Sequence, residues 1–455
     1  MDLTQGNIRE QLVRMAVPAG IGMLFHTFYN VTDTFYAGMI NTEALAALSI
    51  SFPVFFILLA AAVGFSQGTT AIISNYLGSK NEKKASEAYV QSLIYALIFS
   101  TAIGLIVFFA STPIFKFFGA QDSFLNTSLE YMNVISLFAP IMTLSLVVNS
   151  ILNASGDTKK NRNIMIFAFF LNIILNPILC FGFLFIPALG VKGIAISTVF
   201  VELLTIFYLG FHALQLPIMK NFKLNQCTIN FQYLIDFLKQ SVPASLNMLM
   251  IAVGFFVIQK FVNVYGSSAV AAYGIALRIE QIILLPSIGL NIALLSIVGQ
   301  NYGAGNFDRI EKSHFEAIKI GIGLMTVGAL ILFFFGDFLV KFFTKDIEVI
   351  KMADSYLFMA AFLTIIYQFI HMTGSVFQGL KKPMYNTIYT FFRLGVLPPF
   401  IYHFYSVTLE MGLIGVWWGI FSINAVFAVM IFIHIRKIIV GLKLNKINRA
   451  QTKAI

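Results

Sequence analysis

Four stretches of the chain, 52–74, 93–118, 167–189 and 318–335, carry at most one charged side chain each. About 20 apolar residues cross the hydrocarbon core of a bilayer as a helix, so each of these or its surroundings is long enough to span. The same reading predicts twelve helices, over 11–38, 42–77, 88–116, 124–153, 163–185 and 190–217, then 233–264, 269–302, 313–342, 347–378, 384–406 and 411–440. Several exceed the minimum span, which tilt or protrusion past the headgroups accommodates. The longest polar gap, 219–232, is too short for a soluble domain. The expected fold class is an all-α membrane protein with twelve transmembrane helices. Its expected divisions are a first lobe at 1–218, a loop at 219–232, a second lobe at 233–440 and a basic tail at 441–455.

The pattern repeats. Shifted by 225 residues, Val17-Pro18-Ala19 meets Val242-Pro243-Ala244, and Gly64, Gly78 and Asn81 meet Gly289, Gly303 and Asn306. Tyr131 and Ser150 meet Tyr356 and Ser375 in the same register. After the fourth helix the shift becomes 222, bringing Lys159-Lys160 onto Lys381-Lys382 and Pro177 onto Pro399. Leucine and isoleucine matches arise by chance in so apolar a chain; proline, glycine and paired-lysine matches do so far less readily. Six helices per copy return the chain to its starting side, so the copies share one orientation. Parallel repeats of this kind are related by an axis along the membrane normal, with a site between them and rocking of the halves as the transport cycle.

Composition agrees and removes other classes. The 455 residues are 58% hydrophobic and 11% charged, with mean hydropathy +0.84, whereas soluble domains carry about 25% charged residues. A net charge of +10 would suggest nucleic acid in a soluble protein. Here its placement matters more. Lys83, Lys84, Lys159, Lys160, Arg162, Lys381, Lys382, Arg436, Lys437 and the tail lysines fall on one side, which the positive-inside rule makes cytoplasmic. Both termini are then expected in the cytoplasm, and no nucleic-acid partner is expected. Cys180 and Cys227 fall on opposite sides and cannot pair. The amino terminus is not a basic, hydrophobic, cleavable signal. No phosphate-cradling Gly-rich loop or zinc-type spacing occurs, so neither ATP-driven transport nor a cofactor is expected, and no acid pair or His/Ser set marks an intramembrane enzyme.

Ionisable groups at membrane depth cost roughly 2.5–3.5 kcal/mol each even on the lenient insertion scale, so each asks for a reason. Asp33 falls in the outer half of the first helix, with Tyr29 one turn away on the same face. A carboxylate there is suited to bind alternately a coupling ion, H⁺ or Na⁺, and a cargo; the alternative is a carboxylate satisfied by neighbouring amides. Glu202 in the sixth helix is either a second coupling carboxylate or a structural polar contact, since its repeat mate is Asn424. The second half has no acid at Ile258, the register mate of Asp33, and instead carries Lys260, Arg278, Glu280 and Arg393. Arg278 and Glu280 are two residues apart, about 200° around a helix, so a network of Glu280 with Arg393 or Lys260 is expected. This asymmetry places ion coupling in the first lobe. His26, two turns before Asp33, and His371 titrate near neutral pH if exposed to water. Pro18 and Pro243 are expected to begin their helices, where proline is tolerated. The 49 Phe and 17 Met supply lipid-facing, core and adaptable cavity positions.

The residues Asn30-Val31-Thr32-Asp33-Thr34-Phe35-Tyr36-Ala37-Gly38, Ala44-Leu45-Ala46-Ala47-Leu48 and Phe52-Pro53 carry a further signal, with Ala271-Ala272-Tyr273-Gly274-Ile275-Ala276-Leu277-Arg278, Gly299-Gln300-Asn301-Tyr302-Gly303-Ala304-Gly305-Asn306 and Asn172-Ile173-Ile174-Leu175-Asn176-Pro177. In this order and spacing the chain resembles the multidrug and toxic compound extrusion (MATE) family, and within it the DinF-like branch. The resemblance implies two six-helix lobes forming a V around a cavity, and export of amphipathic, often cationic compounds in exchange for H⁺ or Na⁺ by a monomer. It also implies that Tyr29, Asn172, Asn176 and Thr198 surround Asp33, where Na⁺ is a candidate ligand. The branch commonly has Asp before the fifth-helix proline; this chain has Asn176, which removes one negative charge. A lipid-linked saccharide flippase of the wider superfamily is the alternative, which extra helices and a more basic cavity would favour.

Overall fold

The computed structural model describes residues 1–220 and 228–454, with the side chains of the last helix as far as Asn448. Cys227 and the middle of the 219–232 loop lie outside the described residues. The chain is helical almost throughout: α1 (Ile8–Ile40), α2 (Thr42–Gly78), α3 (Glu82–Phe117), α4 (Asp122–Leu137), α5 (Ala139–Ala154), α6 (Lys159–Phe181) and α7 (Val191–Leu214), then α8 (Phe231–Asn263), α9 (Ser267–Gly303), α10 (Phe307–Lys341), α11 (Ile347–Gly379), α12 (Pro383–Thr390), α13 (Leu397–His403) and α14 (Gly412–Ala454). Among the described residues nine helices are long and apolar enough to cross a membrane, ten if α4 and α5, bent by 45°, count as one span.

The departures from twelve uniform helices have local causes. The helix expected over 124–153 breaks at Phe138 because Pro140 lacks an N–H and frees the carbonyl of Ser136. Gly104 of α3 packs against that carbonyl, where a Cβ would lie 2.4 Å from the oxygen. The helix expected over 384–406 is divided into α12 and α13, with π-helical turns at Phe391–Val396 and Phe404–Thr408. Pro398 and Pro399 cannot donate to the turn before them, and the first π-turn lies there. α1 is long enough to span but is more polar than the other long helices. Its polar side chains turn back on their own helix: Thr27 bonds Met23 O at 3.0 Å, Asn30 bonds His26 O at 2.9 Å and Thr32 bonds Phe28 O at 2.9 Å. Satisfied in this way, they cost the helix little in an apolar medium. The basic segment expected as a tail beyond residue 440 continues α14 as helix. Arg436 and Lys443 pair with Glu311 of α10, and Lys443 also reaches Asp308 at 2.6 Å.

Packing divides the chain into two compact units: Met1 with Ile21–Leu249, and Asp2–Gly20 with Met250–Ile455. The boundary falls inside α1 and inside α8. The first part of α1 thus packs with the second unit, and the first part of α8 with the first. The contacts repeat as the sequence does. In the first unit a Cβ on Gly64 of α2 would sit 2.0 Å from Ser245 Oγ and 2.5 Å from Ser245 N of α8. In the second, a Cβ on Gly289 of α9 would sit 2.4 Å from Ala16 O and 2.6 Å from Gly20 N of α1. Each pair is the other shifted by 225 residues. Both glycines are there because helix backbones touch, as small residues permit in membranes.

Pro18 and Pro243 do not begin their helices, contrary to expectation; both lie inside, because α1 starts at Ile8 and α8 at Phe231. Asn7 Oδ1 accepts from Glu10 N at 3.2 Å and starts α1 earlier than hydropathy suggests. The buried cores of the units are separate: Ile73, Tyr89, Ile151, Leu152 and Leu209 in one, Tyr273, Leu294, Tyr356, Phe377 and Trp417 in the other.

Candidate functional site

The first unit brings α1, α6 and α7 together around Asp33, which is buried. Asn172 and Asn176 lie one turn apart on α6 and both donate to Asp33 Oδ1, at 2.9 and 2.8 Å. Asn176 Nδ2 also reaches Asn172 Oδ1 at 3.2 Å. From α7, the Thr198 hydroxyl approaches Asp33 Oδ2 at 3.3 Å while also lying 3.1 Å from Ile194 O. Tyr29, one turn before Asp33, has its hydroxyl near Thr198, but among the described residues no atom completes a hydrogen bond to it. Asn176 Oδ1 is likewise buried without a partner. Asp33 and the four residues expected around it thus meet in one cluster, and Cys180 and Tyr131 lie within the field of the carboxylate.

The local fold explains why this pocket holds its shape. Pro177 has no N–H to give to the carbonyl one turn back, that of Ile173. The Tyr36 hydroxyl of α1 donates to that carbonyl at 3.1 Å. The proline therefore creates an acceptor on α6, and α1 answers it three residues beyond Asp33. Tyr36 was not singled out as a site residue in sequence. The signal was present nonetheless: a proline in an apolar helix implies an orphan carbonyl, and in a membrane some side chain must satisfy it.

Glu202, also on α7, stands apart from the Asp33 oxygens. It is half-buried against Ser145, and its Oε2 has no partner. Its field, like that of Asp33, reaches Tyr29. His26 makes its side-chain contact with Asn30 of its own helix, 3.4 Å away, rather than with Asp33.

In the second unit the four charges do not assemble as one network. Glu280 of α9 is buried and accepts from the Tyr356 hydroxyl of α11 at 2.8 Å; its other oxygen has no partner. Tyr273, Tyr356 and Trp417 pack as a ring cluster beside it, with centroids 4.9 to 5.7 Å apart. Arg393, in the first π-turn, is buried and donates to Asn424 Oδ1 at 2.6 Å. No ion pair joins it to Glu280 among the described residues. Lys260 and Arg278 are exposed. Helix geometry accounts for this: two residues around α9 turn Arg278 away from the face on which Glu280 is buried. His371 stacks on Tyr367 at 5.9 Å and feels Arg393.

These arrangements can be set beside known proteins. The MatE family model matches the chain twice, over residues 18–178 and 243–403, which is the internal repeat again. The probable multidrug resistance protein YoeA of Bacillus subtilis is 26% identical over 402 residues, covering 86% of each chain. The FAD transporter of Shewanella oneidensis is 27% identical over 402 residues, covering 87% of each. The multidrug export protein MepA of Staphylococcus aureus is 29% identical over 353 residues, 75% of each chain. Among solved structures, a MOP superfamily transporter from Pyrococcus furiosus, described by the reverse polarity of its binding pocket, matches with a TM-score of 0.89. It is 27% identical, and the match covers 97% of this chain and 98% of that one. With both halves of its length matched, the chain belongs to the MatE family and is a multi-pass membrane transporter rather than an enzyme.

Proposed function

We propose that the protein exports small amphipathic compounds from the cell, driven by exchange for H⁺ or Na⁺ bound at Asp33. The observation that carries this reading is the pocket itself. A buried carboxylate has one oxygen held by two amides and the other met by a shared hydroxyl at 3.3 Å. Beside it, Tyr29 Oη and Asn176 Oδ1 are buried oxygens with no partner. A buried polar atom left unpaired is costly, and a proton or a small hard cation supplies what these oxygens lack. Na⁺ is content with oxygen ligands from carboxylate, amide and hydroxyl, all present here; a proton needs only the carboxylate. The multidrug functions given to the Bacillus and Staphylococcus relatives support the export of varied small compounds, and the Shewanella flavin carrier widens the chemistry of the cargo.

Ion and cargo are exchanged by alternating access, each favouring a different state of the same protein. The protein acts as a monomer in the inner membrane, with both termini in the cytoplasm, where the basic loops of the chain fall. The coupling carboxylate is tested in everted vesicles loaded by ethidium uptake. Asp33→Asn is expected to abolish ion-driven dye movement while the protein remains in the membrane at normal level. Dye movement at the parental rate in that variant would refute the assignment. Replacing Na⁺ by K⁺ at fixed pH separates the two ions: a fall to background identifies Na⁺, and no change identifies H⁺.

A further inference from the structure

The charges of this chain at membrane depth sort by sign and by exposure. The acids are withdrawn: Asp33 and Glu280 are buried, and Glu202 is half-buried. Arg393 is a buried cation, but its side chain is held by Asn424. Arg278 is the exception. It is exposed, and among the described residues it has no hydrogen bond and no ion pair. It lies eleven residues into α9 from Ser267, about 16 Å along a helix that is long and apolar enough to cross a membrane. Lys260 differs, because it stands in the last turn of α8, where a long stem is able to snorkel out of the hydrocarbon.

An exposed, unpaired guanidinium on a membrane-crossing helix is not directed into hydrocarbon; it faces water or a ligand. The face around it says the same. Ala271, Gly274, Arg278 and Gln281 follow one stripe of α9, and all four are exposed. The stripe is small and polar, and one exposed apolar residue, Ile282, stands a turn beyond Arg278. A lipid-facing stripe in the same unit reads otherwise: Val327, Leu330, Phe334 and Phe338 of α10 are exposed and uniformly large and apolar. The repeat sharpens the contrast. Shifted by 225 residues, Arg278 and Gln281 fall on Pro53 and Phe56 of α2. The scaffold therefore does not require a charge there; this one belongs to the second unit alone.

We propose that Arg278 is the cargo-binding charge of the transporter, and that the preferred cargo is an amphipathic organic anion whose carboxylate or phosphate it engages. This rests on the export reading and narrows its substrate class. The planar guanidinium donates to two oxygens of such a group at once, while the buried Asp33 stays out of contact with cargo and serves the coupling ion. Cations are carried less well by this chain than anions of the same size and hydrophobicity.

The test uses purified full-length protein in nanodiscs and two fluorescent probes, carboxyfluorescein as the anion and ethidium as the cation, with binding read by anisotropy. Carboxyfluorescein is expected to bind more tightly than ethidium. Arg278→Gln should weaken carboxyfluorescein binding about tenfold or more and leave ethidium within about twofold. Arg278→Lys should lose less than the glutamine variant, because it keeps the charge. Thermal melting of both variants checks folding independently. Adding anionic phospholipid to neutral nanodiscs should not displace the dye. If it does, the site is a lipid headgroup site and the proposal falls. If Arg278→Gln melts like the parent and binds carboxyfluorescein equally well, or if ethidium is the tighter ligand in the parent, the proposal is overturned and the export reading stands. If carboxyfluorescein binding depends on Arg278 but neither dye is moved in vesicles, the export reading fails and the binding assignment survives.

Discussion

Each unit buries one carboxylate in its helical core, and the two are served differently. Asp33 receives two amides and a hydroxyl from three side chains on two other helices. Glu280 receives one phenol, and its second oxygen has none. The backbones that carry these groups are copies, down to the glycine contacts of Gly64 and Gly289. The difference lies in what the copies placed on them. The first unit has two asparagines on one face of α6. The second has, at the corresponding part of the chain, an arginine in a π-turn bonded to Asn424. A duplicated scaffold thus supports a carboxylate held by amides and a hydroxyl in one unit, where we propose the ion binds, and a packed aromatic and polar core in the other.

The comparison is broken most directly by exchanging function between the acids. Asp33→Asn should reduce ion-driven export to background, and Glu280→Gln should leave it within about tenfold of the parent. Both are measured as dye transport per unit of protein in the membrane. Equal losses in the two variants, with both proteins folded, would mean that coupling is shared between the units.

A second prediction concerns what the copies have in common. A side chain at either close contact must push backbone, not a movable tip, so Gly64→Val and Gly289→Val should each destabilise the protein by about 1–3 kcal/mol. The readout is thermal melting in detergent. The two should fall together. A loss at Gly64 without one at Gly289 would show that the contacts, though equivalent in geometry, are not equivalent in energy.

Much of this was legible before any coordinates. The repeat was carried by Pro18, Pro243, Gly64 and Gly289, residues whose backbone roles leave little freedom of substitution. The Asp33 pocket was legible because Asn172 and Asn176 fall one turn apart and the motif around Asp33 matched a family. What sequence hid were facts of helix start and of rotation. Pro18 looked like a first residue because the polar turn before it, capped by Asn7, resembles a loop. The expected Glu280–Arg393 pair failed because no pattern in one helix says which neighbour a buried carboxylate will meet; the answer was a tyrosine on α11. Units that exchange the first parts of α1 and α8 are invisible to a reading that divides the chain at its loops.

A smaller effect tests how far α1 depends on α6. Tyr36→Phe keeps the ring and removes the hydroxyl that satisfies Ile173 O. The orphan carbonyl should cost about 1–2 kcal/mol in stability and should lower export several-fold by loosening Asp33 against its asparagines. Replacing Pro177 by alanine in the same variant restores an N–H to that carbonyl and should recover part of the stability. Recovery without the proline would show that the hydroxyl matters as a satisfier of the backbone, whereas none would place its role in the pocket.

Thr198→Val should do least. The Thr198 hydroxyl has a single proton, and two acceptors compete for it: Ile194 O at 3.1 Å and Asp33 Oδ2 at 3.3 Å. The nearer acceptor is the main-chain carbonyl, which the helix already serves, so the carboxylate gains less from this donor than from either asparagine. Valine keeps the shape and removes only that divided bond. Export and the ion concentration for half-maximal rate should both change by less than about threefold, against tenfold or more for Asn176→Ala, which removes a 2.8 Å bond from a charged acceptor. A loss as deep as that of Asp33→Asn would mean that the hydroxyl turns from Ile194 during the cycle and presents its oxygen to the bound ion. Tyr29, whose hydroxyl has no other partner, would then be the group that completes the same shell, and Tyr29→Phe should show the same loss.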